Sequence, residues 1–202
     1  MQITDTPLFP LSTVLCPGGH LGLRIFEPRY LDLVRECSGS GRPFGVCALL
    51  AGEAEVADPA SGPVSTAAAT GTLARIIDFN TQPDGLLGIQ AVGEQRFRVL
   101  QSRIAGNGLL RAEIELIEEA GPMPVPAEYG LVATLLSRLL EQAGSALPTH
   151  LRQQVDDASW LGYRMAELLP LSINERQLLL ETDDPAERLQ QLLYILPRFQ
   201  RE

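Results

Sequence analysis

Apolar residues alternate with polar ones at a period of two through the first part of the chain, to about residue 120, and recur at helical spacing after it. PLFPL (7–11) is a short apolar run broken by prolines, which predicts an edge strand or the entry strand of a barrel. LGLRIF (21–26) predicts a second strand. EPRYLDLVREC (27–37) then reads as a short helix: Pro28 suits the first turn, and Tyr30, Leu31, Val34 and Cys37 recur at helical spacing. SGSGRP (38–43) is a turn cluster and FGVCALL (44–50) a buried strand. The stretch 51–69 is rich in Ala, Pro, Gly and Ser, poor in large apolar residues, and predicts a long, exposed, mobile loop. Three strands follow at 72–79, 86–93 and 95–104, the first two joined by NTQPDG (80–85), whose Asp-Gly step signals a hairpin. LLRAEIELIE (109–118) alternates as a further strand, entered through Gly106, Asn107 and Gly108.

The proline-rich segment GPMPVPAE (121–128) marks the boundary between two domains, 1–120 and 121–202. Beyond it the spacing predicts helices over 129–142, 156–169, 172–181 and 183–196. The third opens on a capping box, Ser172 with Glu175. The fourth has Asp184 as its cap, Pro185 at the first position, and an apolar stripe of Leu189, Leu192, Leu193 and Leu196. Trp160 sits on an apolar helix face and is assigned to the core. The expected class is α+β: a small, mostly antiparallel β-domain, then a compact helical domain.

Composition narrows the function. A formal net charge of -9 repels phosphate backbones, so nucleic acid is not an expected partner. No segment is long and apolar enough for a membrane span, and the N-terminus lacks the basic region of a signal peptide, so the expectation is a cytoplasmic protein with no membrane partner. All 16 basic residues are arginine. Without lysine there is no P-loop, no Schiff base and no Ser-Lys catalysis. Three cysteines without CxxC spacing read as reduced thiols.

No constellation of catalytic residues stands out. Cys16 and His20 lie four apart with Cys37 and Cys47 elsewhere, but structural zinc ligands come in tight pairs, so neither metal nor cofactor is expected. No serine sits in a GxSxG elbow, and GSGRPFG does not follow a strand. The acidic pairs Asp156/Asp157 and Asp183/Asp184 open helices, where their charge complements the helix dipole. Arg96 and Arg98 flank Phe97 on a strand, which reads as a core phenylalanine with a solvated opposite face. What remains is apolar surface: the junction between the domains and the loop 51–69 frame a groove for an extended or unfolded peptide, held by strand addition and apolar pockets.

Three stretches taken together resemble the N-terminal substrate-binding domain of Lon-type ATP-dependent proteases. They are PLFPLSTVLCPGGHLGLRIFEPRYLDLV (7–34), GTLARIIDFNTQPDGLLGIQAVGEQRFRVL (71–100) and WLGYRMAELLPLSINERQLLLETDDPAERLQQLLYIL (160–196). The resemblance implies a PUA-like β-barrel followed by a helical bundle, and recognition of unfolded or peptide segments, with delivery to a protease or ATPase complex. The chain looks like a stand-alone member without the ATPase and peptidase parts. Phe26, Glu27, Arg29, Tyr30, Arg96 and Phe97 match the family's motif positions and are the binding candidates; Glu27 and Arg29 also suit a role in fixing the helix start. A non-enzymatic adaptor or regulator of proteolysis is the leading expectation. An RNA-binding PUA-like protein, and a hydrolase pairing Cys16, Cys37 or Cys47 with His20 or His150, are the alternatives.

Overall fold

A computed structural model describes residues 1–50, 67–142 and 154–199. The loop expected over 51–69 lies for the most part outside the described residues, as does His150. The chain divides into two compact units, Met1–Glu118 and Glu119–Glu202. Among the described residues the first holds six strands, β1 (Gln2–Leu11), β2 (His20–Ile25), β3 (Phe44–Leu49), β4 (Ala67–Thr81), β5 (Leu87–Ile104) and β6 (Leu110–Leu116), with helix α1 (Pro28–Ser40) between β2 and β3. The strands lie in the order β2-β5-β4-β3-β1-β6, and a further pairing of β5 with β6 closes the sheet on itself. Among the described residues only β1 and β3 run parallel; the other pairs are antiparallel.

One strand expectation is corrected. The runs 86–93 and 95–104 are one continuous strand, β5, because the glycine and polar residues between them fall where the strand changes partner. Its first half pairs with β2 and β4, and its second half with β6. The proline-broken run 7–11 is the second half of β1, the first strand of the closed sheet, which has neighbours on both sides. The pairings are staggered, however: Gln2–Pro7 bonds to β6 and Leu8–Leu11 to β3. Each proline therefore faces a single ladder, which is how a strand tolerates a residue with no N–H. The Asp-Gly hairpin forms as its chemistry dictates, with Gly85 at φ 82° between β4 and β5. Helix α1 runs on into the predicted turn cluster as far as Ser40.

The first unit has two apolar clusters. In one, the inner face of α1 (Tyr30, Leu33, Val34 and Cys37) packs on Phe9, Ile25, Phe44 and Ile89. In the other, Phe97 packs with Leu8, Cys47, Leu73 and Ile114. Two glycines, Gly45 and Gly71, give the Phe97 ring its space: a Cβ on Gly71 would lie 2.7 Å from the ring and 2.3 Å from the Val46 carbonyl. Gly39 in α1 has open space around it. Gly71→Ala should therefore destabilise the protein by roughly 2–3 kcal/mol. Gly39→Ala should stabilise it by about 0.5–1 kcal/mol. Urea unfolding followed by circular dichroism measures both, and equal effects at the two sites would refute the packing account.

The second unit contains helices α2 (Gly130–Gln142), α3 (Ala158–Leu168), α4 (Ile173–Glu181) and α5 (Pro185–Ile195). Asp157 caps α3 by accepting from the Trp160 N–H at 2.8 Å, and it also accepts from the Met123 N–H at 3.1 Å. One carboxylate thus starts a helix and ties the proline-rich segment to it. Asp184 caps α5 through the Ala186 N–H at 2.8 Å. Leu189, Leu192 and Leu196 are buried along α5. Trp160, assigned to the core, is only half-buried. Arg188 is fully buried among the helices. Its Nε donates to the Leu179 carbonyl at 2.9 Å, its guanidinium also donates to the Tyr163 hydroxyl (3.0 Å) and the Thr182 carbonyl, and it stacks 3.9 Å over the Tyr163 ring.

The Ser172–Glu175 capping box is complete: the Ser172 hydroxyl accepts from the Glu175 N–H, and Glu175 accepts from the Ser172 N–H at 2.9 Å. Bonds from Arg198 and from Ser172 hold the Glu175 carboxyl down at about 2, against an ordinary value of 4.5. A carboxyl depressed on folding stabilises the folded state above its unfolded value, and the benefit disappears as pH falls through the folded one. Glu175→Gln should lower the melting temperature at neutral pH, and its deficit against the wild type should shrink between pH 4.5 and about 2. Melting curves across that range test this; a deficit independent of pH would contradict it.

Candidate functional site

The chain leaves the core at the end of β2. Ile25 is buried, whereas Phe26 is 66% exposed. Glu27 is the N-cap residue of α1 in an extended conformation, but its side chain makes no capping bond. Instead its carboxylate accepts from Arg29 Nε at 2.8 Å. Pro28 begins the helix, where a missing N–H costs nothing. The Arg29 guanidinium also lies 4.8 Å from the Tyr30 ring centroid and reaches the Gly108 carbonyl at 3.5 Å. Tyr30 stacks flat on Phe9, ring centroids 3.8 Å apart and planes 9° from parallel.

Around these residues lies a groove of about 190 Å³, lined mainly by Phe9, Leu11, Leu23, Phe26, Tyr30 and Leu49. Its floor is rigid, because the stacked Phe9 and Tyr30 belong to the core, and its wall is the exposed Phe26. The groove is smaller than the roughly 300 Å³ at which small-molecule sites begin, and matches one large side chain better than a cofactor.

Four of the six candidates, Phe26, Glu27, Arg29 and Tyr30, come together here. Arg96 and Phe97 do not: both are fully buried in β5, with Phe97 in the second apolar cluster. Phe9, Leu11, Leu23 and Leu49 complete the groove without having been singled out, since alternation marks them as strand residues and carries no sign that their row opens to solvent. A larger cavity, about 300 Å³, lies where β1 bulges against β6, beside Asp5, Arg103 and Arg111. Its arginines are already engaged: Arg103 with Asp5 at 2.5 Å, and Arg111 with Asp5 at 3.0 Å and with Glu36. The hydrogen bond to Glu36 raises the Arg111 pKa further.

Among the described residues no cluster of His, Cys, Asp and Glu could hold a metal. Cys16 is buried and His20 exposed. Burial pushes the Cys37 thiol up to about 11 and the Cys47 thiol to about 12. Neither supplies a thiolate near neutral pH. Alkylation of the native protein at pH 7.5 should accordingly be slow at both and become fast only in denaturant; rapid native labelling of either, located by mass spectrometry, would revive a thiol nucleophile.

The fold and groove define a class: a two-unit α+β protein with an apolar groove beside α1 and, among the described residues, no cluster able to hold a metal. The family model of the ATP-dependent protease La (LON) substrate-binding domain matches residues 5–198, and the chain belongs to that family. A crystal structure of a Lon N-terminal domain protein from Xanthomonas campestris is similar over 95% of this chain and 98% of that one, with 44% identity and a TM-score of 0.78. The Lon protease of Dictyoglomus thermophilum is 29% identical over 95% of this chain and 24% of its own length. Protein cereblon of Danio rerio is 31% identical over 58% of this chain and 26% of its own length. The chain thus spans about a quarter of the length of these curated relatives. No helix among the described residues is long and apolar enough to cross a membrane.

Proposed function

We propose that this chain recognises exposed, extended segments of other proteins and acts as a non-enzymatic adaptor or regulator of proteolysis in the cytoplasm, alongside a protease or ATPase complex. The observation that carries the proposal is the groove at the start of α1. An aromatic wall, Phe26, stands in solvent beside an immobile aromatic floor and leaves room for one apolar side chain. An exposed aromatic beside an apolar depression is the feature by which partner side chains are captured. Family membership in the LON substrate-binding domains supports the class of ligand.

In this proposal Phe26 and Tyr30 contact the ligand, while Glu27 and Arg29 fix the angle at which α1 presents them. Arg96 and Phe97 serve from inside the sheet. The units correspond to a PUA-like barrel domain, 1–120, and a helical bundle domain, 121–202. The closed sheet and the helices described after Glu119 support that division. The net charge of -9 weighs against a polyanion such as RNA as the ligand.

Phe26→Ser tests the proposal cleanly, because the side chain is largely outside the core and the fold should be unaffected. Titrating a labelled, reduced and carboxymethylated unfolded protein should show the variant binding at least about fivefold more weakly, with an unchanged melting temperature. Equal affinity in the two proteins would remove the groove as the binding site.

A further inference from the structure

We infer that the open side of β2 takes an added strand: an extended, uncharged segment of an unfolded protein, bonded through its main chain to Gly22 and Arg24, with an apolar side chain in the groove beside Leu23. The inference deepens the function proposed above and rests on it for the class of ligand.

Among the described residues β2 ends the strand order and pairs only with β5. Its six pairs run from His20 to Ile25 without a register shift. The direction of its main-chain groups follows from Gly93 of β5. That residue donates to the Gly19 carbonyl and accepts from the Gly18 N–H, both at 2.8 Å. In an antiparallel pair only alternate residues bond across. Counting from Gly93, the bonding positions on β5 are Ala91, Ile89 and Leu87, opposite Leu21, Leu23 and Ile25. The N–H and C=O groups of Gly22 and Arg24 therefore point away from β5, and among the described residues nothing bonds them. Groups of this kind template a further strand.

Edges are blocked by prolines, by bulges or by charges held over them. β2 has neither a proline nor a bulge. Its one arginine, Arg24, is bonded to Asp84 in the turn between β4 and β5. That turn lies on the β5 side of β2, so the bond draws the guanidinium away from the open side. Gly22 leaves the backbone bare. A Cβ there would meet only the flexible end of the Gln90 side chain, at 3.1 Å, so close internal packing does not account for the glycine. Glycine inside a strand marks a place where another backbone approaches.

The groove lies where a side chain of that next strand would fall. Leu23 pairs with Ile89, which is fully buried against α1. Leu23 itself is half-buried and lines the groove with Phe9, Phe26 and Tyr30. A residue opposite Leu23 on an added strand would continue this apolar row into the groove. The charges of the rim then decide the chemistry of the segment. Arg24 is matched by Asp84, and Glu27 by Arg29 at 2.8 Å. Among the described residues no other charged side chain lines the groove. A charge on the segment would lose hydration and find no free counter-charge, so an uncharged segment is preferred to an acidic or a basic one. Main-chain bonds to Gly22 and Arg24 supply affinity and the groove supplies selection, the division of labour in strand addition.

Anisotropy titrations on the intact chain test this with labelled octapeptides that alternate leucine or phenylalanine with threonine. The parent peptide should bind. An added strand turns only alternate N–H groups toward β2. Of two peptides N-methylated on the apolar amides or on the threonine amides, one should therefore bind like the parent and the other should not. Apolar capture alone would treat the two alike. Gly22→Pro removes an N–H from the open side and no bond to β5, and should weaken the parent peptide about tenfold with little change in melting temperature. Should that variant fail to fold, the two methylated peptides decide alone. Replacing the threonines by glutamates or by lysines should weaken binding at least about fivefold. Equal binding of the two methylated peptides, wild-type affinity in a folded Gly22→Pro, or a charged peptide as tight as the parent overturns the inference. So does a dimer in sedimentation that Gly22→Pro dissociates while no peptide binds, since the edge then belongs to a second copy. If the peptides fail but unfolded protein still binds through Phe26, only this inference falls; if both fail, the proposed function falls with it.

Discussion

The first unit depends on a single strand serving three partners. β5 runs 18 residues from Leu87 to Ile104, holds β2 and β4 at one end, and closes the sheet through β6 at the other. Register shifts in its pairings with β4 and β6 let it bend between those duties. Because β5 reaches from β2 to the β5–β6 turn, it also fixes the ground on which α1 rests. Arg29 at the start of the helix approaches Gly108 in that turn, Asp32 accepts from Asn107 at 2.9 Å, and Glu36 near its end is bonded to Arg111 of β6. The helix is therefore clamped along one side by charges and along its inner face by apolar packing. Phe26, immediately before it, is left free while everything around it is held.

The absence of lysine takes on meaning against these contacts. The guanidinium is planar, offers a fork of donors and stacks on aromatic rings, which an ammonium does less well. Arg29 uses all three properties at once on Glu27, Gly108 and Tyr30. Arg188 does the same inside the second unit, where it satisfies carbonyls at the C-terminal end of α4 and lies on the face of Tyr163. Tyr163 in turn donates to Glu119 at 3.2 Å, so a buried cation is linked to an acidic group at the beginning of that unit. These arginines are structural fasteners, and their number says little about anionic ligands.

Features of the fold that depend on local chemistry were legible in the chain. The Asp-Gly hairpin, Pro28 in the first turn of α1, the Ser172 capping box and the Asp184 cap each follow from a few neighbouring residues. Features that depend on pairing were not. Nothing local shows that β5 is one strand, or that β1 exchanges partners between Pro7 and Leu8, because both facts belong to the register of distant strands. The candidate site divides in the same way. The string from Phe26 to Tyr30 stands out as a contiguous motif at a helix start. Arg96 and Phe97 stand out equally, yet tertiary packing buries them, and the Phe97 ring needs two distant glycines to fit. The other side of the groove comes from Phe9, Leu11 and Leu49, brought in by strand pairing.

Magnitudes then decide what kind of recognition this architecture supports. Burying one large apolar side chain stabilises by roughly 1.5–3 kcal/mol. Millimolar binding already requires about 4 kcal/mol. A groove that accepts a single side chain cannot therefore capture a partner alone, and a folded protein showing one isolated residue would pass it by. An unfolded segment differs in kind: it brings free main-chain groups and several apolar side chains on one tether. Engaging a second surface on the same chain then becomes an intramolecular event, and weak contacts multiply without any one of them being tight. In the function proposed, a preference for unfolded over folded partners follows from that requirement, since an extended chain brings several apolar side chains on one tether.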